Sequence, residues 1–254
     1  MGVEYCVYLL PRDNTVRPSP GAVAKLIEAW VAHRYVRAPN DAKARESVKF
    51  HYRPDEHAKQ SGAYVETEPG KPRPLPLVEP LAAMREVLTA SEAMIVWPIH
   101  DTMALGLDYP LDRIPDMGDP KMGPYLHLRL EIADDFVDRG SECIDGLYAA
   151  RCTCGRDLRY HLDHDLFYAG RIKRLCPTCG AAFRPQDHET IVGDGMTGER
   201  TSIAGGATSR FAIVVDCGKA WNRDAPTSVL AKPTFVTLCE TSLSTKLYQV
   251  SDYY

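Results

Sequence analysis

The chain has 254 residues and no long apolar run; no stretch approaches the ~18 residues needed to span a bilayer, so no membrane partner is expected. Its first residues, Met1 to Leu10, lack the basic region and small-residue cleavage site of a secretory signal. Position 6 is Cys6, where an N-myristoylation signal needs Ser or Thr. There is neither a Gly-x-x-x-x-Gly-Lys-Ser/Thr loop nor a Gly-x-Gly-x-x-Gly turn, which excludes the common sequence forms of a phosphate cradle. The acidic series Asp108, Asp112, Asp116 and Asp119 does not have EF-hand spacing and reads as solvated surface. No internal repeat and no sustained heptad is present, so neither a solenoid nor a coiled coil is expected. The net charge is -4, which argues against binding nucleic acid over the whole surface.

What the chain does have is eight cysteines, four of them in two short pairs. One pair lies in Cys152-Thr153-Cys154-Gly155, the other in Cys176-Pro177-Thr178-Cys179-Gly180. Two chain turns that each supply two ligands, separated by enough residues for a hairpin, form the layout of a four-thiolate zinc site. Zinc takes four such donors at tetrahedral corners, with sulfur about 2.3 Å away. A tight turn puts both of its sulfurs on one side and aims backbone N–H groups at them. Gly155 and Gly180 suit a turn residue with positive φ, and Pro177 presets the backbone at the start of the second turn.

The segment Cys176 to Gly180 resembles a rubredoxin-type knuckle, and residues from about 150 to 184 resemble a zinc ribbon. The first pair departs from that pattern. It is Cys-x-Cys, one residue tighter than the usual knuckle, so Cys143, His161 or His164 is an alternative ligand in place of Cys152 or Cys154. Iron is the alternative metal. With four protein thiolates no coordination position is left open, which predicts structural Zn2+ and no catalysis at the metal.

The remaining cysteines, Cys6, Cys143, Cys217 and Cys239, are isolated in apolar or strand-like surroundings. With no signal peptide, that predicts reduced thiols in a cytoplasmic protein. Charge is uneven: residues 151 to 184 carry seven basic and three acidic side chains, leaving them net +4 and the rest of the chain -8. Arg156, Arg159, Arg171, Lys173 and Arg174 are the candidate phosphate contacts of a nucleic-acid-binding ribbon, with Tyr160, Phe167 or Tyr168 to stack on bases.

Along the chain, Val3 to Leu10 reads as a buried strand ended by Pro11. Ser19 and Pro20 open a helix, with Ser19 as N-cap, and Val23, Leu26, Ile27, Trp30 and Val31 form its apolar face. Val48 to Arg53 and Ala93 to Ile99 read as strands, Glu79 to Ala90 as a helix. Residues 54 to 80, rich in proline and charge, read as a loop or polyproline stretch, and residues 100 to 124 as an irregular excursion. Tyr125 to Ala133 alternates apolar and polar residues, as a half-exposed strand does. Residues 193 to 209 read as a glycine-rich loop, Phe211 to Val215 as a buried strand, Thr234 to Ser242 as a helix and Lys246 to Val250 as a last strand.

The expected fold class is α+β, a mixed sheet with flanking helices and an inserted zinc-ribbon hairpin. Residues 1–149 and 186–254 together form one domain, 150–185 the insertion, and the strands at 125–133 and 211–215 are expected to be neighbours.

Two further strings carry chemistry. His161-Leu162-Asp163-His164-Asp165 partly resembles the metal-binding run of metallo-β-lactamase-like hydrolases, but Arg159 stands where the leading His belongs. Cys217, at an expected strand end beside Gly218 and Lys219, is a candidate nucleophile if His100, His127 or His188 approaches as base; the competing reading is a small apolar residue packed at that strand end. The function expected from these residues is a non-catalytic protein-interaction module (an adaptor, regulatory subunit or inhibitor) with a protein partner. Nucleic-acid binding through the basic ribbon and a Cys/His-dependent enzyme using Cys217 are the alternatives.

Overall fold

In a computed structural model of the chain, the described residues are 3–36, 64–66, 72–74, 92–98, 108–112, 127–138, 144–145, 147–159, 174–193, 200–205, 208–220 and 229–253. The expected strand at 48–53 and helix at 79–90 lie outside them. None of the described helices is long and apolar enough to cross a membrane.

The principal sheet is built around β13 (Thr208–Ala220), which pairs antiparallel with β1 (Val3–Pro11) on one side and β5 (His127–Asp138) on the other. Beyond β5 lie β4 (Glu92–Pro98), β2 (Tyr64–Glu66) and β3 (Pro72–Pro74). Beyond β1 lie β14 (Leu247–Tyr253) and β6 (Ile144–Asp145). The expected adjacency of 125–133 and 211–215 holds. The sheet is not mixed, however: all its described pairings are antiparallel. β2 and β3 fall inside the stretch expected to be a loop. β2 is a three-residue Tyr-Val-Glu strand, short and set in proline- and charge-rich surroundings, while Pro72 and Pro74 of β3 sit on an edge strand, where a missing N–H is tolerated.

Phe211 to Val215 are buried without a break, as a central strand covered on both faces requires. Phe211, Ile213 and Val215 point to the larger core with Val7, Leu9, Leu128 and Leu130. Ala212 and Val214 point the other way, with Cys6, Tyr8, Tyr248 and Val250. On this second face Arg129 is held by Asp216 at 2.8 Å and Glu131 at 3.4 Å. The two carboxylates raise the guanidinium's pKa further above its ordinary value, against the burial that would lower it.

Helices α1 (Pro20–Ala32) and α2 (Pro233–Leu243) cover the larger core. Ser19 caps α1 as expected, its hydroxyl accepting from the Ala22 N–H at 3.2 Å. Val23, Leu26, Ile27 and Trp30 form the buried stripe. Where the helices meet, the Trp30 ring stacks on Phe235 at 5.9 Å, Tyr35 meets the same ring edge-on at 4.7 Å, and the Trp30 indole N–H points at the Cys239 sulfur, 3.4 Å away. The described part of the expected excursion is not simply solvated. Leu111 is buried and bridges to Ala231, Asp108 holds Lys232 at 2.7 Å, and Asp112 accepts from the Leu230 N–H. Buried Gln249 fixes the same segment, accepting from Ala231 and donating to the Val229 carbonyl.

A second sheet has the order β12 (Arg200–Ala204), β11 (Glu189–Gly193), β7 (Leu147–Arg151) and β8 (Asp157–Arg159). β12 lies within the stretch expected to be a glycine-rich loop. Its partner β11 supplies the order that its own composition does not. A two-stranded hairpin, β9 (Arg174–Leu175) with β10 (Ala182–Phe183), completes the described strands.

Burial pushes the Cys239 thiol up to about 12, despite the Trp30 N–H that favours the thiolate. An unfolded chain ionises this thiol near 9.0, so between those values the folded state keeps a proton that the unfolded state releases. Stability should therefore fall as pH rises through that window, by up to about 1.4 kcal/mol per pH unit from this group. Urea unfolding at stepped alkaline pH should show a shallower decline in Cys239→Ala than in wild type; equal slopes would contradict the assignment.

Candidate metal centre

Two turns built to one plan carry the four paired cysteines. In the turn joining β7 to β8, the Cys152 N–H donates to the Arg156 carbonyl and the Gly155 N–H to the Cys152 carbonyl, both at 2.8 Å. In the turn joining β9 to β10, the Cys176 N–H donates to the Ala181 carbonyl and the Gly180 N–H to the Cys176 carbonyl, again at 2.8 Å. The closing glycines have φ of 88° and 69°, the left-handed region that their position after each second cysteine implied. The first turn closes one residue sooner than the second, which is how the fold accommodates Cys-x-Cys.

The turns face each other. Cys152 Sγ lies 3.8 Å from Cys179 Sγ, and Cys154 Sγ lies 3.8 Å from Cys176 Sγ. All four sulfurs fall within 4.8 Å of one another. A regular tetrahedron with sulfur about 2.3 Å from a central ion has edges of about 3.8 Å, so the spacing fits a tetrathiolate metal. A disulfide would need about 2.05 Å, and these cysteines are free thiols. The four residues supply a complete tetrahedral set and could hold a metal ion. The alternative ligands Cys143, His161 and His164 lie outside the described residues.

One cysteine of each pair is buried, Cys152 and Cys176, and one is exposed, Cys154 and Cys179. The backbone N–H of Cys179, joined by that of Thr178, brings the Cys176 thiol down to about 6 against the desolvation that opposes it. At Cys179 the Ala181 N–H acts in the same direction, but desolvation and the neighbouring sulfurs prevail and push that thiol up to about 11. Four sulfurs this close cannot all ionise without a cation between them.

Side chains also join the turns. Arg156 donates from Nη1 to the Thr178 hydroxyl at 2.7 Å, linking the first turn to the second. The sequence did not announce this contact: Arg156 read as a phosphate contact, and Thr178 carried no assigned role. Arg151 is paired with Asp157 at 2.8 Å, directly across the β7–β8 register, and Arg184 with Asp187 at 3.3 Å. Arg159 and Arg174 lie on β8 and β9 with side chains outside the described set; Arg171 and Lys173 are outside it altogether.

Cys217 is not at a strand end. β13 continues to Ala220, and Cys217 with Gly218 opposes the single residue Tyr5, forming a bulge between the pairs Cys6–Asp216 and Glu4–Lys219. Of its candidate bases, His127 is on β5 opposite Asp216, and His188 lies beside the second sheet. His100 and the Cys217 side chain are outside the described residues.

Replacing Cys176 or Cys179 with Ser should abolish stoichiometric metal binding, read by elemental analysis of the purified protein; full retention of metal would remove the centre. Gly180→Ala meets no atom within 4 Å, so its cost is purely the left-handed backbone, about 1–2 kcal/mol. Metal affinity should drop about tenfold, measured by competition with a chelator, and an unchanged affinity would count against the turn's role. No family model, no curated protein and no solved structure matches this chain, so the four-sulfur geometry is what identifies the centre.

Proposed function

We propose that this protein binds one structural Zn2+ through Cys152, Cys154, Cys176 and Cys179, and that the zinc ribbon so formed is part of a non-catalytic protein-interaction module. The carrying observation is the sulfur tetrahedron: its edges suit a metal whose four ligands all come from the chain, which leaves substrate no coordination position. A metal of this kind orders two short hairpins that have too little apolar surface to hold themselves.

Its setting favours a protein partner. Leu175, directly before Cys176, is 68% exposed, and Ile191 on the second sheet is 43% exposed. These are the large apolar side chains that the described surface leaves in water, and both belong to the cysteine-bearing part of the chain. An apolar residue on a rigid turn is the kind of anchor that protein interfaces use. Of the five candidate phosphate contacts, Arg156 already donates to Thr178 within the protein, which supports nucleic-acid binding less well. The free thiols among the described cysteines agree with a reducing compartment such as the cytoplasm.

Leu175→Glu tests the reading because it leaves every metal ligand in place. The variant should keep one zinc per chain and lose a partner that wild type captures reversibly and in fixed stoichiometry. A mobility-shift titration is the counter-test: salt-dependent binding of RNA or DNA by both forms would replace the protein-partner reading with the nucleic-acid one.

A further inference from the structure

Where the chain leaves β1 and where it enters β13, the fold buries hydrogen-bond donors that the protein does not answer. Asn14 is 4% exposed, yet its side-chain amide nitrogen has no acceptor. The Arg210 Nε is buried and has none either. The two residues touch, the Arg210 backbone N–H donating to the Asn14 carbonyl at 3.3 Å. Among the described residues Arg210 makes no ion pair. Gly205 lies against the same amide: a Cβ there would meet Asn14 Nδ2 at 1.9 Å and Thr208 Oγ1 at 2.8 Å.

A second guanidinium joins them. Arg17 is paired through Nη1 with Asp134, which is half-exposed and stands on an outward bulge of β5, where residues 133 to 136 oppose Arg210 alone. Burial, and then repulsion from Arg210, lowers the Arg17 pKa from its ordinary value. Two guanidiniums therefore converge on this spot, and its unanswered groups, Asn14 Nδ2 and Arg210 Nε, are both donors. Buried polar groups in native proteins are almost always satisfied, and an unanswered donor costs its full desolvation. The Arg129 cluster on the second face differs, because Glu131 and Asp216 outweigh its single charge. Ser209, also buried with an unanswered hydroxyl, faces away from Arg210 by strand alternation and lies outside this cluster.

We propose that Asn14, Arg17 and Arg210 form a binding site for a phosphate-type oxyanion, with Gly205 leaving room for the Asn14 amide. Such a ligand is acceptor-rich and negative, and the planar guanidinium fork matches its oxygens. Its source is free phosphate or a phosphorylated small molecule, and the two are told apart by comparing inorganic phosphate with a simple phosphomonoester.

The test uses the full-length, metal-loaded chain. Inorganic phosphate is titrated at constant ionic strength while the Arg210 Nε–H resonance and the thermal midpoint are followed. A saturable shift of that resonance and a rise in midpoint that chloride does not reproduce are expected. Arg210→Gln should weaken phosphate about tenfold or more while keeping its zinc, and Gly205→Ala should weaken it by displacing Asn14. Absence of a saturable shift, an equal response to chloride, or equal affinity in Arg210→Gln overturns the site. If that variant does not fold, the wild-type resonance decides.

Discussion

The pairing of β13 with β1 on one side and β5 on the other is the constraint from which the other elements take their places. It joins segments more than 200 residues apart, such as Val7 and Val215, and buries five consecutive side chains, Phe211 to Val215, on two opposite faces. One face becomes the floor on which α1 and α2 meet through Trp30, Phe235 and Cys239. The other carries Cys6, Tyr8 and the ion pairs of Arg129. Both of its irregular ends matter. The bulge at Cys217 and Gly218 turns an apparent strand end into strand, and the bulge of β5 opposite Arg210 brings Asp134 to Arg17.

The cysteine centre rests on a different balance. β8, β9 and β10 contribute only two or three residues each, too few to order a turn by burial. Backbone closure at 2.8 Å, a positive-φ glycine in each turn and the Arg156–Thr178 contact position the four sulfurs. The opposed shifts of Cys176 and Cys179 express a conflict of charge among the sulfurs. One thiolate is stabilised by backbone donors, and its charge then disfavours the next. A divalent cation between the four sulfurs would remove that conflict, and a metal held this way couples its binding to local order.

Much of the fold was legible where a local signal coincided with burial. The Ser19-Pro20 start of α1, its stripe of Val23, Leu26, Ile27 and Trp30, the alternation of Leu128, Leu130 and Ile132, and the apolar run 211–215 all fell where expected. The misses share a cause. β2 is three residues long, and β3 and β12 lie in proline- or glycine-rich stretches; each is a strand because a partner offers it hydrogen bonds, a long-range effect that local propensity does not carry.

By itself the sequence placed the two cysteine pairs in turns, because the Cys-x-Cys and Cys-x-x-Cys spacings and their following glycines are local chemistry that any turn must obey. The α1 cap and the apolar periods are of the same kind. Tertiary structure alone decided that the sulfurs stand 3.8 Å apart across two hairpins, that Arg156 joins those hairpins, and that Asp216 holds Arg129 beside the candidate Cys217. It also decided that Asn14 and Arg210, 196 positions apart in the chain, share one buried corner. Each of these depends on register between distant strands, and register is set by the summed burial of whole faces, not by any residue's neighbours in sequence.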